Sequence, residues 1–262
     1  MAKAPLRVAL IGLGTIGQNA VRLLQAMDSV DVEILGALVR DPSRPRSVDT
    51  PVVSTLNDLL ALRPDVVVEI AGHDGLRQHG PAVLRAGFNL IAVSVGVLAH
   101  PEVHDELLAA AEEGGTQMKV ASGAVGALDA IAAAKRGGLE HVTHTVRKPP
   151  STLFGPDSEP LTEPKTVFAG KAREAAIKYP ESVNVTAAVS LAGLGLDQTD
   201  VRIIADPGVD RNQHEIAAEG AFGRLRFEVQ GIPTEENPRT GRLVAMSIVN
   251  TLLAYRSPIV VG

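Results

Sequence analysis

Cysteine is missing altogether from the 262 residues, which excludes disulfides, thiolate metal ligands and a cysteine nucleophile. Tryptophan is missing too, and the aromatics are two Tyr and five Phe. No stretch is strongly basic, and 25 Lys+Arg against 30 Asp+Glu leave a formal charge of −5. Without a cationic stripe or a stacking platform, nucleic acid is not an expected partner. No apolar run approaches the ~18 residues that a membrane helix needs, so no membrane association is expected. Met1-Ala2-Lys3-Ala4-Pro5 leads straight into an apolar segment without the design of a signal peptide, and the expectation is a soluble, cytoplasmic protein. His73, His79, His100 and His104 pair with no carboxylate at metal-ligand spacing, and no metal site is expected. What is present, 45% hydrophobic and 21% charged residues, suits an ordinary globular chain of one or two domains.

The first part alternates short β-branched runs with helical patterns. Leu6–Ile11, Val32–Val39, Val66–Ile70, Asn89–Val93 and Gln117–Ala121 read as strands. Ile16–Ala26, Thr55–Leu62, Gly75–Ala86 and Pro101–Glu113 read as the helices between them. Strands alternating with helices predict an α/β fold, a doubly wound parallel sheet of Rossmann type, over residues 1–122. After Ser122 the pattern changes. A helix is expected over Ala124–Lys135, a strand over His141–Arg147, and a long exposed loop over the proline-rich Pro149–Pro164. Helices at Ala172–Lys178 and Val183–Leu194 precede a strand at Val201–Ala205 and an antiparallel pair, His214–Phe222 and Arg224–Ile232. Residues 123–240 thus read as an α+β domain. Residues 241–262 hold an apolar helix, Val244–Tyr255, and a tail, a segment expected to be able to return and pack on the first domain.

Gly12-Leu13-Gly14-Thr15-Ile16-Gly17 lies between the first strand and the first helix, where a dinucleotide fingerprint belongs. Gly12 permits the tight turn, Gly14 lets the backbone approach a pyrophosphate, and Gly17 allows close helix–strand packing. The N–H groups at Thr15 and Ile16 open the helix toward the phosphates. Cofactor choice is read about 20 residues further on, at the end of the second strand. There Arg40 precedes Asp41: an arginine able to stack on adenine or pair a 2′-phosphate, then a carboxylate within reach of a ribose. NAD and NADP both remain open. Ser94 and the Ser122-Gly123-Ala124 run follow the fourth and fifth strands, where small residues either admit a nicotinamide ring or simply cap the next helix. His141 and His144 are three apart on one strand and so face opposite sides. His214 opens a strand after a turn containing Asp210 and Arg211, a setting that suits a general acid as well as a plain surface histidine.

In order and spacing, further segments join the fingerprint. They are Leu90-Ile91-Ala92-Val93-Ser94-Val95-Gly96, Ser122 to Ile131, Arg147-Lys148-Pro149-Pro150, Tyr179 to Ala188, Leu191 to Gly195, Ala205-Asp206-Pro207, Asn212 to Ile216 and Asn237-Pro238-Arg239-Thr240. Over nearly its whole length the chain resembles the L-aspartate dehydrogenase family. The resemblance implies a Rossmann domain, an α+β domain for substrate and dimerisation, a homodimer, and NAD(P)-dependent interconversion of L-aspartate and iminoaspartate, which in some bacteria feeds NAD synthesis. It also implies cofactor contacts at Ala124 and Asn184 and a proton-donating His214. Ser182 and Thr186 depart from the Asn and Ala of many relatives. Arg147 and Lys148 are the candidate cations for a substrate carboxylate, against the plainer reading of a basic strand end. Two other readings are a dihydrodipicolinate reductase-like enzyme, whose Gly-Thr substrate run is missing after Lys148, and a non-catalytic NAD(P)-binding sensor.

Overall fold

In the computed structural model, residues 4–28, 30–155, 161–180, 183–237 and 240–261 are described. They form two units, Met1–Ala121 with Val244–Gly262, and Ser122–Leu243. The part of the proline-rich segment between Gly155 and Leu161, Ser182, and the Pro238-Arg239 of the resemblance lie outside the described residues.

The first unit is built on runs of Val, Ile, Leu and Ala that are apolar on both faces, the pattern of a parallel sheet covered on both sides. Its strands are β1 (Leu6–Ile11), β2 (Val32–Leu38), β3 (Val52–Val53), β4 (Val66–Glu69), β5 (Asn89–Ala92) and β6 (Met118–Val120). They lie in the order β3-β2-β1-β4-β5-β6, all parallel, which is the Rossmann order with its switch point between β1 and β4. Helices α1 (Thr15–Gln25), α2 (Leu56–Ala61), α3 (His73–Arg85) and α4 (Pro101–Gly114) connect them, and a 3-10 turn at Val95–Ala99 follows β5. Two features were not expected: the two-residue β3, too short to carry a periodic signal, and that 3-10 turn.

In the second unit α5 is Leu128–Arg136, β7 Leu139–Lys148, α6 Pro150–Phe154, β8 Lys165–Lys171, α7 Ala172–Lys178, α8 Asn184–Ala192, β9 Asp200–Ala205, β10 Gln213–Gly220 and β11 Gly223–Gln230. The sheet order is β11-β10-β7-β9-β8, antiparallel except for the β7–β9 pair. One face carries Val142, Ile216 and Ala218, which form a core with Ile131 of α5 and Val189 of α8. Three expectations need correction. The helix foreseen from Ala124 starts only at Leu128, because Gly123 and Ala127 both take positive φ (65° and 62°) and break the first turn. Strand β8 was not foreseen: it is an edge strand, none of its residues is fully buried, and no alternation marks it. Within the expected loop, Pro150–Phe154 forms a short helix with proline at its start. The closing helix α9 (Leu243–Ala254) and the residues after it belong to the first unit, where Arg256 reaches Asp65 at 3.5 Å.

Candidate active site

The glycine turn divides its labour between fold and ligand. Gly12 has φ +96°, and a Cβ there would sit 2.8 Å from the Ile70 carbonyl, so the turn itself requires glycine. A Cβ on Gly17 would lie 2.9 Å from the Ile70 side chain, which is the close helix–strand packing. Gly14 differs. Its backbone (φ −81°, ψ −160°) suits any residue, and a Cβ would meet nothing within 4 Å. No part of the fold needs glycine there, so the open space before α1 fits a group that approaches the backbone. The first-turn N–H groups of Thr15, Ile16 and Gly17 lack helical acceptors and face the same end, as an anion requires.

Beyond β2, Arg40 is exposed, and Asp41 is folded back onto its own loop. Its Oδ1 accepts from Ser43 N (2.9 Å) and Ser43 Oγ (2.6 Å), which holds the carboxyl below its ordinary range. Arg46 ties the loop down through the carbonyls of Asp41, Pro42 and Arg44. Gln18 of α1 accepts from Ser47 N at 2.7 Å and donates to the Leu13 carbonyl at 3.2 Å, linking this loop to the glycine turn.

Ser94 spends its hydroxyl on protein. It donates to Glu69 Oε1 (2.9 Å) and accepts from Gly72 N (3.1 Å). Glu69, fully buried at the end of β4, also accepts from Ala71 N (2.7 Å) and Ser94 N (3.1 Å), and burial raises its pKa. This carboxyl was missed in sequence. Its only signal is a charged residue ending the run Val66-Val67-Val68.

In the second unit the chemistry gathers on the helix-covered face of the sheet. Along β7 the residues of that face are His144, Val146 and Lys148, all buried, and His214 of β10 pairs opposite Val146. His144 Nε2 lies 3.2 Å from His214 Nδ1, and the two ring planes are within 12° of parallel with their centroids 5.3 Å apart, so the nitrogens face each other edge to edge. His144 Nδ1 lies 2.9 Å from Thr186 Oγ1 on α8, two residues after Asn184. Ala124 sits in the turn before α5. The expected neighbours of His214 need correction: Asp210 and Arg211 pair with each other on the surface, and Lys148 is the charge that acts on His214. Arg147 and Lys148 also part company. Successive strand residues face opposite ways, and Arg147 joins Asp206 at 3.2 Å on the other face. There it lines a shallow pocket of about 160 Å³ with Thr145, Gln213, Glu215, Arg226 and Glu228. The two cations therefore do not close on one carboxylate together.

Both imidazoles are held uncharged. Burial, then the neighbouring His214, pushes His144 well below its usual value. Burial, then Lys148, lowers His214 to about 4. An unfolded chain protonates these rings near pH 6.5 while the folded protein does not, so below that pH the unfolded state binds more protons and stability falls. We expect stability, followed by the thermal midpoint, to decline from pH 7 toward pH 5, by up to ~1.4 kcal/mol per pH unit for each histidine. A midpoint that stays level across that window contradicts the uncharged pair.

Residues 129–255 match the family model described as aspartate dehydrogenase, C-terminal. Residues 12–121 match the homoserine dehydrogenase, NAD binding domain model. The L-aspartate dehydrogenase of Ruegeria pomeroyi is 47% identical over 255 residues, covering 94% of this chain and 91% of the relative. The chain belongs to the L-aspartate dehydrogenase family. The L-aspartate dehydrogenase of Cupriavidus taiwanensis is 42% identical, at 94% and 96% coverage. The crystal structure of an aspartate dehydrogenase from Thermotoga maritima shares the fold, with a TM-score of 0.81, 24% identity and coverage of 98% and 99%. Membership in the L-aspartate dehydrogenase family sets aside the dihydrodipicolinate reductase-like reading. The NAD binding domain model spans the glycine turn and strands β2 to β6, and the cofactor class is NAD or NADP. Among the described residues no helix is long and apolar enough to cross a membrane.

Proposed function

We propose that the chain interconverts L-aspartate and iminoaspartate with NAD or NADP, the imine hydrolysing to oxaloacetate and ammonia. The carrying observation is His214, held uncharged beside the ammonium of Lys148 on one face of the second sheet. When bound, the cofactor would supply the hydride acceptor or donor for the substrate Cα. His214 accepts a proton from the substrate nitrogen or from the water that attacks the imine carbon, and gives it back in the reductive direction. Lys148 pairs a substrate carboxylate, while Arg147, the other candidate cation, is turned to the opposite face of the sheet with Asp206. Gly12, Gly14, Thr15, Ile16 and Gly17 would hold the pyrophosphate. For Ala124 and Asn184 the support is the resemblance, joined by their places before α5 and on the first turn of α8. For Ser94 it is the end of β5, where its backbone, not its engaged hydroxyl, is the group on offer. The test is nicotinamide absorbance with L-aspartate and each cofactor. Turnover with another amino acid and none with aspartate would sink the substrate assignment.

The tip of β2 carries Arg40, while Asp41 is turned onto Ser43. We therefore expect NADP to be the better cofactor. Arg40→Ala weakens NADP by ~1.5–3 kcal/mol, the worth of a hydrogen bond to a charged group, and NAD much less. Equal losses by calorimetry would limit Arg40 to adenine stacking.

The homodimer and the cytoplasmic setting belong to the same proposal, as does a supply of imine to NAD synthesis, which rests on resemblance. For the dimer the support is the sheet face opposite the core, where Thr143, Thr145, Arg147, Gln213 and Glu215 stay only half-buried within one chain. Sedimentation as a monomer would overturn it.

A further inference from the structure

We propose that His144 is a positioning residue for proton transfer: it accepts the Nδ1–H of His214 at its own Nε2, anchors its Nδ1–H on Thr186, and so reserves the Nε2 lone pair of His214 for the substrate. The inference rests on His214 being the acid–base group.

Three observations carry it. The first is where His144 lies. It is 0% exposed on a strand face whose neighbours Val142 and Val146 are apolar, and an imidazole in such a place is costly unless both nitrogens are satisfied. Here both are, and one of the two partners is the reacting histidine. A valine would serve the core without that cost.

The second is the direction of the hydrogen bond. Between two neutral rings there are two arrangements: His144 donates to His214, or the reverse. Same-face residues along β7 run His144, Val146, Lys148, and His214 is opposite Val146, so it stands between an imidazole and an ammonium. Lys148 acts on His214 as a nearby positive charge. An ammonium opposes a further N–H on its own side and favours a lone pair there. The proton of neutral His214 then sits on Nδ1 and is given to His144, whose remaining proton goes to Thr186 Oγ1, a hydroxyl that can accept.

The third is that this arrangement survives the reaction. When His214 takes a proton at Nε2, its Nδ1–H stays on His144 Nε2, and the new cation keeps an uncharged acceptor already in place. No other proton moves, and the charge gained by His214 is the one lost by substrate or water.

The experiment is nitrogen-15 NMR of the full-length protein labelled at histidine, with kinetics on the same samples. His214, assigned by its loss in His214→Ala, is expected as the Nδ1–H tautomer, the opposite of the form imidazoles prefer in water. His144→Phe keeps the ring volume but neither hydrogen bond. It should return His214 to the Nε2–H tautomer and lower kcat for aspartate oxidation at least ~10-fold, the usual worth of an outer partner that orients a functional imidazole, with KM nearly unchanged. Thr186→Val should shift the tautomer in the same sense, and Thr186→Ser should restore it; this pair decides the matter if His144→Phe does not fold. An Nε2–H tautomer in the parent protein overturns the proposal. So does a slowed His144→Phe with an unaltered His214 spectrum, which would be a packing effect. An inactive His214→Ala beside a fully active His144→Phe removes the positioning role alone. A fully active His214→Ala removes the acid–base reading and this inference with it.

Discussion

His214→Ala lowers kcat for aspartate oxidation by at least ~10²-fold, the lower range of what a positioned acid–base group supplies. Cofactor affinity stays nearly unchanged, because the glycine turn belongs to the other unit. The side chain sits where an alanine leaves a gap next to His144, whose Nε2 then loses its partner. His214→Asn is nearly as poor, since an amide can bond His144 but cannot carry the proton. Steady-state rates with saturating cofactor decide this. Recovery of most of the rate by the Asn variant would make His214 an orienting group, and full activity of both variants would remove it from the reaction.

Gly14→Val abolishes NAD(P) binding and leaves the fold intact. Gly14 has ordinary negative φ and open space around a built Cβ, so valine costs the folded chain little, within about 1 kcal/mol. The branched side chain then occupies the approach to the first turn of α1, where a pyrophosphate must touch the backbone. Gly12→Ala serves as the contrast. At φ +96° and 2.8 Å from the Ile70 carbonyl it strains the turn itself, and unfolding accompanies its loss of binding. Calorimetric titration together with thermal melting separates the two. Saturable binding by Gly14→Val would take the fingerprint out of the cofactor site.

The first unit was legible in sequence because its signals are local. Leu6–Ile11 is apolar except for Arg7 and ends at glycine, and the strand has those same bounds. The second unit was less so, for reasons that concern particular residues. Strand β8 lies at an edge with little to bury, and the turn at Ala124–Ala127 owes its shape to the positive φ of Gly123 and Ala127, with the Phe227 ring leaving room for little more than glycine at 126. The faces of His141 and His144 could be told apart by alternation, but not which face is buried. His144 meets His214 across 70 residues of chain, and Glu69 meets Ser94 across 25. Pairings of that kind come from sheet register, which no window of sequence displays.

Helix α9 supplies buried residues, Val244, Ile248, Val249 and Leu252 among them, to a unit whose other part ends at Ala121. During synthesis the nucleotide-binding sheet therefore leaves the ribosome well before the helix that completes its packing. Until then it lacks that helix, while Ser122–Leu243 is contiguous and can close first. Cutting the gene at residue 121 would not yield a stable Rossmann fragment. An excised nucleotide-binding module of this protein has to be a fusion of two distant stretches.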